Sequence, residues 1–173
     1  GSYPFVTSST TIAGGTSAGI GCALPRDSEI IGVTKAYCTR VGAGDFPSEE
    51  SGEIESLLQT KGSEIGVVTG RRRRCGWLNL DDLKYAHRLN GFTSLVMTKV
   101  DVLDGFKEVK VMLDGELLTF EGWDNSADVV NYSKLHPNLK NYISFVEDQV
   151  GVRVSILSTG AERNSTIVRS LRS

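Results

Sequence analysis

The chain is short of the residues that build metal centres and nucleophilic sites: of 173 residues only two are histidine and three are cysteine. His87 falls inside a helical stretch and His136 stands directly before Pro137, neither beside a second ligand type. No Cys-His pair, Ser-His-Asp set or paired-cysteine zinc spacing can be drawn, so no motif supports structural zinc or a hydrolase triad. Cys22, Cys38 and Cys75 are odd in number and widely spaced. That pattern excludes a disulfide framework and fits free thiols in a reducing, cytoplasmic setting. No apolar run approaches the roughly 20 residues of a membrane-spanning helix, and no signal-peptide pattern is visible. A glycine-rich phosphate loop with its lysine is also missing, so any nucleoside triphosphate handled here needs phosphate-gripping residues from elsewhere. Finally, there is no basic excess. A net charge of -2 and a pI near 5.7 argue against a general polyanion binder.

Within this mildly acidic chain, Arg71-Arg72-Arg73-Arg74 is the feature that asks for a reason. Neighbouring guanidinium groups repel, so an anion must reward their clustering. The planar fork of arginine donates two parallel hydrogen bonds to a carboxylate or phosphate, which suits it to that task. Val67-Val68-Thr69-Gly70 before the run and Cys75-Gly76-Trp77 after it read as a strand delivering a tight loop rather than as a basic tail. A small charged ligand fits this frame better than RNA, which would call for interleaved aromatics and a basic balance.

Patterning predicts an α/β chain, with residues 1–173 forming a single region without internal repeat or long linker. The stretch 7–21, rich in Thr, Ser and Gly, reads as a flexible loop or as a hydroxyl- and amide-lined surface open to phosphate. Residues 30–41 are apolar and β-branched enough for one buried strand, ended by Gly42-Ala43-Gly44. A helix is expected over 51–62, with Ile54, Leu57 and Leu58 on one face and Gly62 closing it. Asn79 can cap a second helix with Leu80, Leu83, Ala86 and Leu89 as its apolar positions and Asp82 in its first turn. Strands are expected over 92–98 and 152–157, and a hairpin over 107–120 turning at Asp114-Gly115. Pro137 opens a last helix whose inward face is Leu139, Tyr142, Ile143, Val146 and Val150, with Gly151 past its end. Strand-like sequence from Tyr3 to Thr7 at once suggests that the chain is the later part of something longer.

Three polar loops then stand by predicted strands: the arginine loop, Thr98-Lys99-Val100-Asp101, and Ser158-Thr159-Gly160. In open α/β sheets, ligands bind beyond the carboxyl ends of strands. The T-K-x-D stretch resembles the guanine-reading motif of GTP-binding proteins, in which a carboxylate accepts from two donors that adenine lacks and a lysine stem packs on the base. Such a site rejects the wrong base because an unpaired buried carboxylate is costly. Four residues alone leave open an ordinary surface pair of Lys99 and Asp101.

Longer motifs decide between these readings. Gly1-x-Tyr3-Pro4-Phe5-Val6-Thr7-Ser8-Ser9 opens the chain, and Lys35-Ala36-Tyr37-x-Thr39-Arg40-Val41-Gly42-Ala43-Gly44-x-Phe46-Pro47-x-Glu49 follows. Next come Glu64-x-Gly66-x-x-Thr69-Gly70-Arg71-Arg72-Arg73-Arg74-x-Gly76-Trp77, Thr98-Lys99-Val100-Asp101-Val102-Leu103-Asp104, and Ser158-Thr159-Gly160-x-x-Arg163. In this order and spacing they resemble the second half of the adenylosuccinate synthetase family over essentially the whole chain. Asp45 and Ser48 in the Gly44 to Glu49 stretch, and Ala161-Glu162 after the last glycine, depart from the family pattern.

The resemblance implies the C-terminal portion of a large, mostly parallel-sheet, P-loop-like nucleotide ligase fold. It implies a cytoplasmic, homodimeric enzyme of AMP biosynthesis that joins L-aspartate to IMP with GTP and magnesium, through 6-phosphoryl-IMP. Val67, Val68, Thr69, Gly70, Arg71, Arg72 and Arg73 would form the aspartate loop. Thr7, Val41 and Arg71 would meet IMP, while Arg73, Lys99, Val100, Asp101, Ser158, Thr159 and Gly160 would meet GTP. The family's catalytic Asp, His and Gln, its phosphate loop and its magnesium ligands are expected before Gly1, which leaves no catalytic or metal residue in this chain and predicts that these residues alone do not turn over. A viral-type relative forming 2-aminoadenylosuccinate from dGMP, or an inactive nucleotide-binding fragment, are the alternatives.

Overall fold

The computed structural model describes residues 3–6, 9–66 and 70–169, and its strands divide between two four-stranded sheets. In the first, β1 (Ile31–Lys35), β4 (Ser94–Thr98) and β7 (Val154–Ser158) lie side by side and parallel, and β8 (Thr166–Val168) returns antiparallel on β7. In the second, β2 (Tyr37–Arg40), β3 (Arg74–Asn79), β5 (Glu108–Leu113) and β6 (Glu116–Glu121) follow in that order. There β3 and β5 run parallel, and the two outer pairs are antiparallel. Helices α1 (Thr16–Ile20), α2 (Glu53–Lys61), α3 (Leu80–Asn90) and α4 (Pro137–Val150) connect these strands. The expected α/β class is observed, with parallel strands in both sheets.

The single strand expected over 30–41 is two strands in different sheets. Ala36, wholly buried, is the switch: its N–H donates to the Thr98 carbonyl at 2.9 Å, beside the Lys35–Thr98 pair that ends the β1–β4 register. The Tyr142 hydroxyl of α4 then donates to the Ala36 carbonyl at 2.7 Å, and Tyr37 onward pairs with β3. β-Branched residues favour extended backbone but do not name its partner, so the change of sheet leaves no sequence mark.

The helix signals fare better. Asn79 caps α3 by accepting from the backbone N–H groups of Asp81 and Asp82, and Gly91 closes it at φ 62. α4 starts on Pro137, takes its cap from the His136 side chain and buries Leu139, Tyr142, Ile143, Val146 and Val150 as its periodicity predicts. Burial of each such side chain is worth about 1.5–3 kcal/mol. Of the α3 apolar set, however, Leu80 is buried while Leu89 stays exposed. Part of the stretch 7–21 is a 3-10 turn, Ala13–Gly15, running into α1 rather than a loop. Asp114 (φ 52) and Gly115 (φ 78) form the expected two-residue hairpin turn between β5 and β6. The Asp81 carboxylate accepts from the N–H groups of both, at 3.0 and 3.2 Å, and ties that turn to the start of α3.

β3 itself carries an extra neighbour. The Trp77 N–H donates to the Ser48 carbonyl at 2.9 Å and the Glu50 N–H to the Cys75 carbonyl at 3.0 Å, laying residues 48–50 along its flank. Gly76 faces that approach: a Cβ there would lie 2.1 Å from the Ser48 oxygen.

Candidate functional site

Parallel pairing of β4 with β7, with Met97 opposite Leu157, brings the two polar loops that follow these strands to one edge of the first sheet. Lys99 leaves β4 in the left-handed region (φ 61), an uncommon conformation for a residue with a side chain, and Val100–Leu103 then form a 3-10 turn. Val100 is fully buried, and the Trp123 indole donates to its carbonyl at 3.4 Å. Asp101 is half-buried. Burial pushes its carboxyl above the ordinary range, its own backbone and Lys99 pull it back, and the charges of Asp104 and Asp128 add to the rise.

The loop after β7 is held from behind. Thr159 is fully buried, with its hydroxyl 2.9 Å from the Val129 carbonyl and 3.2 Å from that of Ser165, while the Asp128 N–H donates to the Thr159 carbonyl at 2.9 Å. The Ser165 hydroxyl donates to Asp128 at 2.6 Å, and Gly160 packs against this pair so closely that a Cβ would meet the Asp128 carboxylate at 2.7 Å. Ser158 donates its hydroxyl to the Gly160 carbonyl at 2.9 Å. The hydroxyls of Ser158 and Thr159 are thus engaged within the loop. What the loop can turn outward at these positions is chiefly its backbone.

Of the arginine loop, Val67, Val68 and Thr69 lie outside the described residues, as does Thr7. Its base is a narrow backbone ladder: the Arg73 N–H donates to the Glu64 carbonyl at 2.9 Å, Gly66 N–H to Arg71 at 2.8 Å and Gly70 N–H to Gly66 at 2.8 Å. Gly70 sits at φ 63, where glycine is favoured. Arg71 and Arg72 are exposed, and Arg72 reaches Gln59 at 3.4 Å. Arg74 belongs to the scaffold, since it grips both Glu49 carboxylate oxygens and the carbonyls of Gly42 and Gly44 at 3.1 and 2.9 Å. Val41 lies exposed one step beyond the Arg40–Arg74 pair, at the same end of the second sheet.

Glu64 joins the two halves of this arrangement, and sequence reasoning gave it no role. Wholly buried, it accepts through Oε1 from Lys35 Nζ at 2.7 Å and the Tyr37 hydroxyl at 2.5 Å, with Lys99 Nζ 3.3 Å away, and through Oε2 from Arg73 at 2.8 Å. Lys99 also donates to the Gly62 carbonyl. Lys35 ends β1 and Lys99 follows β4, so one carboxylate ties the edge of the first sheet to the base of the arginine loop. Burial alone would raise the Glu64 carboxyl, but hydrogen bonds from Lys35, Tyr37 and Arg73 outweigh it and lower it from 4.5 to about 2. Burial and the adjoining Glu64 charge push the Tyr37 phenol well above its ordinary range. Glu64 opens the motif that leads into the arginines, but an acidic residue at that place does not by itself distinguish a hub from a surface charge.

A carboxyl with a lowered folded value stabilises the fold above its unfolded value, and that contribution is lost as pH falls through the folded one. Denaturant titrations should therefore show stability declining between pH 4.5 and about 2, and Glu64→Gln should remove that part of the decline. An unchanged slope in the variant would mean that other carboxylates carry it.

Chemically, the edge presents lysine and arginine donors, a half-buried carboxylate and backbone amides: a surface for anions and for a ligand with paired N–H donors. Among the described residues no three His, Cys, Asp or Glu side chains gather to hold a metal, and burial drives the Cys75 thiol up to about 11, away from nucleophile chemistry. No helix of the described residues is long and apolar enough to cross a membrane.

Comparison with known proteins completes the picture. The family model described as adenylosuccinate synthetase matches residues 1–117 and 113–167. The adenylosuccinate synthetase of Helicobacter pylori strain P12 is 45% identical over 186 residues, covering 96% of this chain and 45% of that protein. That of Eremothecium gossypii is 46% identical over 190 residues, covering 96% and 44%. The solved structure of fully ligated adenylosuccinate synthetase from Plasmodium falciparum superposes with a TM-score of 0.90 at 32% identity, over 98% of this chain and 46% of that one. The chain thus spans a little under half the length of the relatives it matches.

Proposed function

Because the chain belongs to the adenylosuccinate synthetase family, we propose that the protein carrying it joins L-aspartate to IMP with GTP hydrolysis, through 6-phosphoryl-IMP, in AMP biosynthesis. This stretch supplies the aspartate loop and the guanine pocket. The observation that carries the reading is the alignment of Lys99-Val100-Asp101 with Ser158-Thr159-Gly160 beyond two adjacent parallel strands, with the arginine loop anchored to the same edge through Glu64.

Aspartate brings two carboxylates to a site that already holds phosphates, and guanidinium groups offset that repulsion. Val67, Val68, Thr69, Gly70, Arg71, Arg72 and Arg73 hold the amino acid. Arg71 and Val41, with Thr7, meet IMP, and Arg73 lies toward GTP. Asp101 accepts from the ring N–H and exocyclic amine of guanine, Val100 lines the pocket, and the backbone at Ser158, Thr159 and Gly160 closes its other side. Closing the loop over the assembled substrates excludes water from a labile phosphoryl intermediate. Magnesium, which the family uses, does not fit a site made of the described residues; its ligands belong to the part of the protein that precedes this stretch. The active protein is a cytoplasmic homodimer.

The test is an assay of the full-length protein with IMP, aspartate and GTP, read as adenylosuccinate formed. Product should require all three, and ATP should not replace GTP. Turnover independent of aspartate, or equal with ATP, sinks the proposal. A finer test is Asp101→Asn, which leaves a guanine donor facing an amide donor. The expected cost is about 2 kcal/mol, roughly thirtyfold in the GTP KM, with the IMP KM nearly unchanged. Because burial holds the Asp101 carboxyl up, GTP affinity should also begin to fall, as pH drops, at a higher pH than an ordinary carboxylate would dictate.

A further inference from the structure

We propose that Glu64 is a positioning residue that couples the two substrate regions: by holding Arg73 and Lys99 on one carboxylate, it makes occupancy of the guanine pocket favour assembly of the aspartate loop. The inference rests on the loop and pocket roles proposed above.

Glu64 has two sets of partners. Lys35, at the end of β1, and Tyr37, at the start of β2, come from the scaffold and hold Oε1 at 2.7 and 2.5 Å. The other two come from the ligand-binding loops: Arg73 on Oε2 at 2.8 Å and Lys99 3.3 Å from Oε1. Three cations thus share one carboxylate, with Lys35 and Lys99 on Oε1 beside the Tyr37 hydroxyl and Arg73 on Oε2, so a shift of either loop cation changes the charge that the other meets. The backbone repeats the link, since Glu64 accepts from the Arg73 N–H at 2.9 Å and its own N–H is fixed to the Gln59 carbonyl of α2 at 2.9 Å. Lys99 in turn is restricted by its left-handed backbone and by the Gly62 carbonyl.

A nucleotide that packs on the Lys99 stem fixes that lysine, and through Glu64 it fixes the base of the arginine loop. Aspartate then binds a loop whose base is already ordered. By linkage, aspartate must favour the nucleotide by the same factor. The negative charge, rather than the bulk of the side chain, transmits the effect, because the partners on both sides are cations.

The test measures the apparent aspartate KM of the full-length protein at GTP concentrations from well below to well above its own KM. Couplings of this kind typically amount to about 5- to 150-fold. Saturating GTP should lower the aspartate KM at least about fivefold in the unaltered protein, and less than twofold in Glu64→Gln. Glu64→Asp, which keeps the charge and loses length, should retain more of the coupling than Glu64→Gln, which keeps the length and loses the charge. Thermal melts verify folding. If Glu64→Gln does not fold, a cycle of Arg73→Met, Lys99→Met and the double variant decides, since both side chains are about a third exposed (33% and 36%). Their effects on the aspartate KM should depart from additivity at least fivefold. Additive effects, or a GTP dependence that survives Glu64→Gln, overturn the coupling alone. An unaltered protein with no GTP- and aspartate-dependent activity overturns the functional reading together with it.

Discussion

Leucine in place of Arg71 is expected to lower kcat/KM for aspartate roughly a hundredfold in the full-length protein. The expectation follows from what a closed site does to an unmatched charge. Removing one partner of a desolvated, hydrogen-bonded ion pair costs about 2–5 kcal/mol, and each 1.36 kcal/mol is about a factor of ten in rate. Arg71 stands on the flank of the loop, where its carbonyl accepts from Gly66 N–H at 2.8 Å. That backbone bond does not depend on the side chain, so this rung of the loop base should be preserved. With Arg71 also reaching the inosine ribose, the IMP KM should rise about tenfold, the low end for a hydrogen bond made by a charged group, and the GTP KM less. Steady-state kinetics with each substrate varied in turn would show this order. An undisturbed aspartate dependence would take Arg71 out of the amino-acid site.

The second large effect concerns the scaffold. Gly76→Val should destabilise the protein by at least about 3 kcal/mol, seen as a lowered urea midpoint, because the added atoms meet backbone rather than a yielding side chain. A Cβ at 76 lies 2.1 Å from the Ser48 oxygen and 2.7 Å from the Glu49 Cα. Segment 48–50 would have to leave the flank of β3, and with it would go the Glu49 carboxylate that holds Arg74. Gly14→Ala is the control: a Cβ there has no heavy neighbour within 4 Å, and the change should stay within about 0.5 kcal/mol. Comparable losses in both variants would show that the close approach at Gly76 is not the cause.

The sequence made visible those features whose cause is local. Asn79 before Leu80-Asp81-Asp82, Pro137 at the head of α4, Gly91 and Gly151 behind their helices, and Asp114-Gly115 between alternating strands each act within a few residues, and each stands where its chemistry predicts. Partner choice is not local, and there the reading fell short. The continuous apolar stretch 30–41 hid a change of sheet at Ala36. The arginine run reads as a loop alone, although its last member already belongs to β3, and Thr166–Val168 are too short a run to announce β8. The motif residues Lys99 to Asp101 and Ser158 to Gly160 were found from their place after predicted strands, and the parallel register brings them together. Glu64 escaped because its significance lies in meeting Lys35, Arg73 and Lys99 across separate elements. No periodicity or spacing encodes such a meeting.

The order of strands in the first sheet also governs how the chain reaches its fold. β1 waits for β4, with Ile31 opposite Ser94, and β4 waits for β7, with Leu95 opposite Val154. Neither pairing can be nucleated by a short turn, so each must close a long loop before any ladder bond offsets the lost chain entropy. Long-range pairings of this kind slow folding relative to local ones. On the ribosome, the β5–β6 hairpin can zip as soon as its turn emerges. The edge that carries Lys99 to Asp101 and Ser158 to Gly160 is completed only when β7 and β8 are free to dock, so in time the proposed binding surface is among the last parts of this chain to exist.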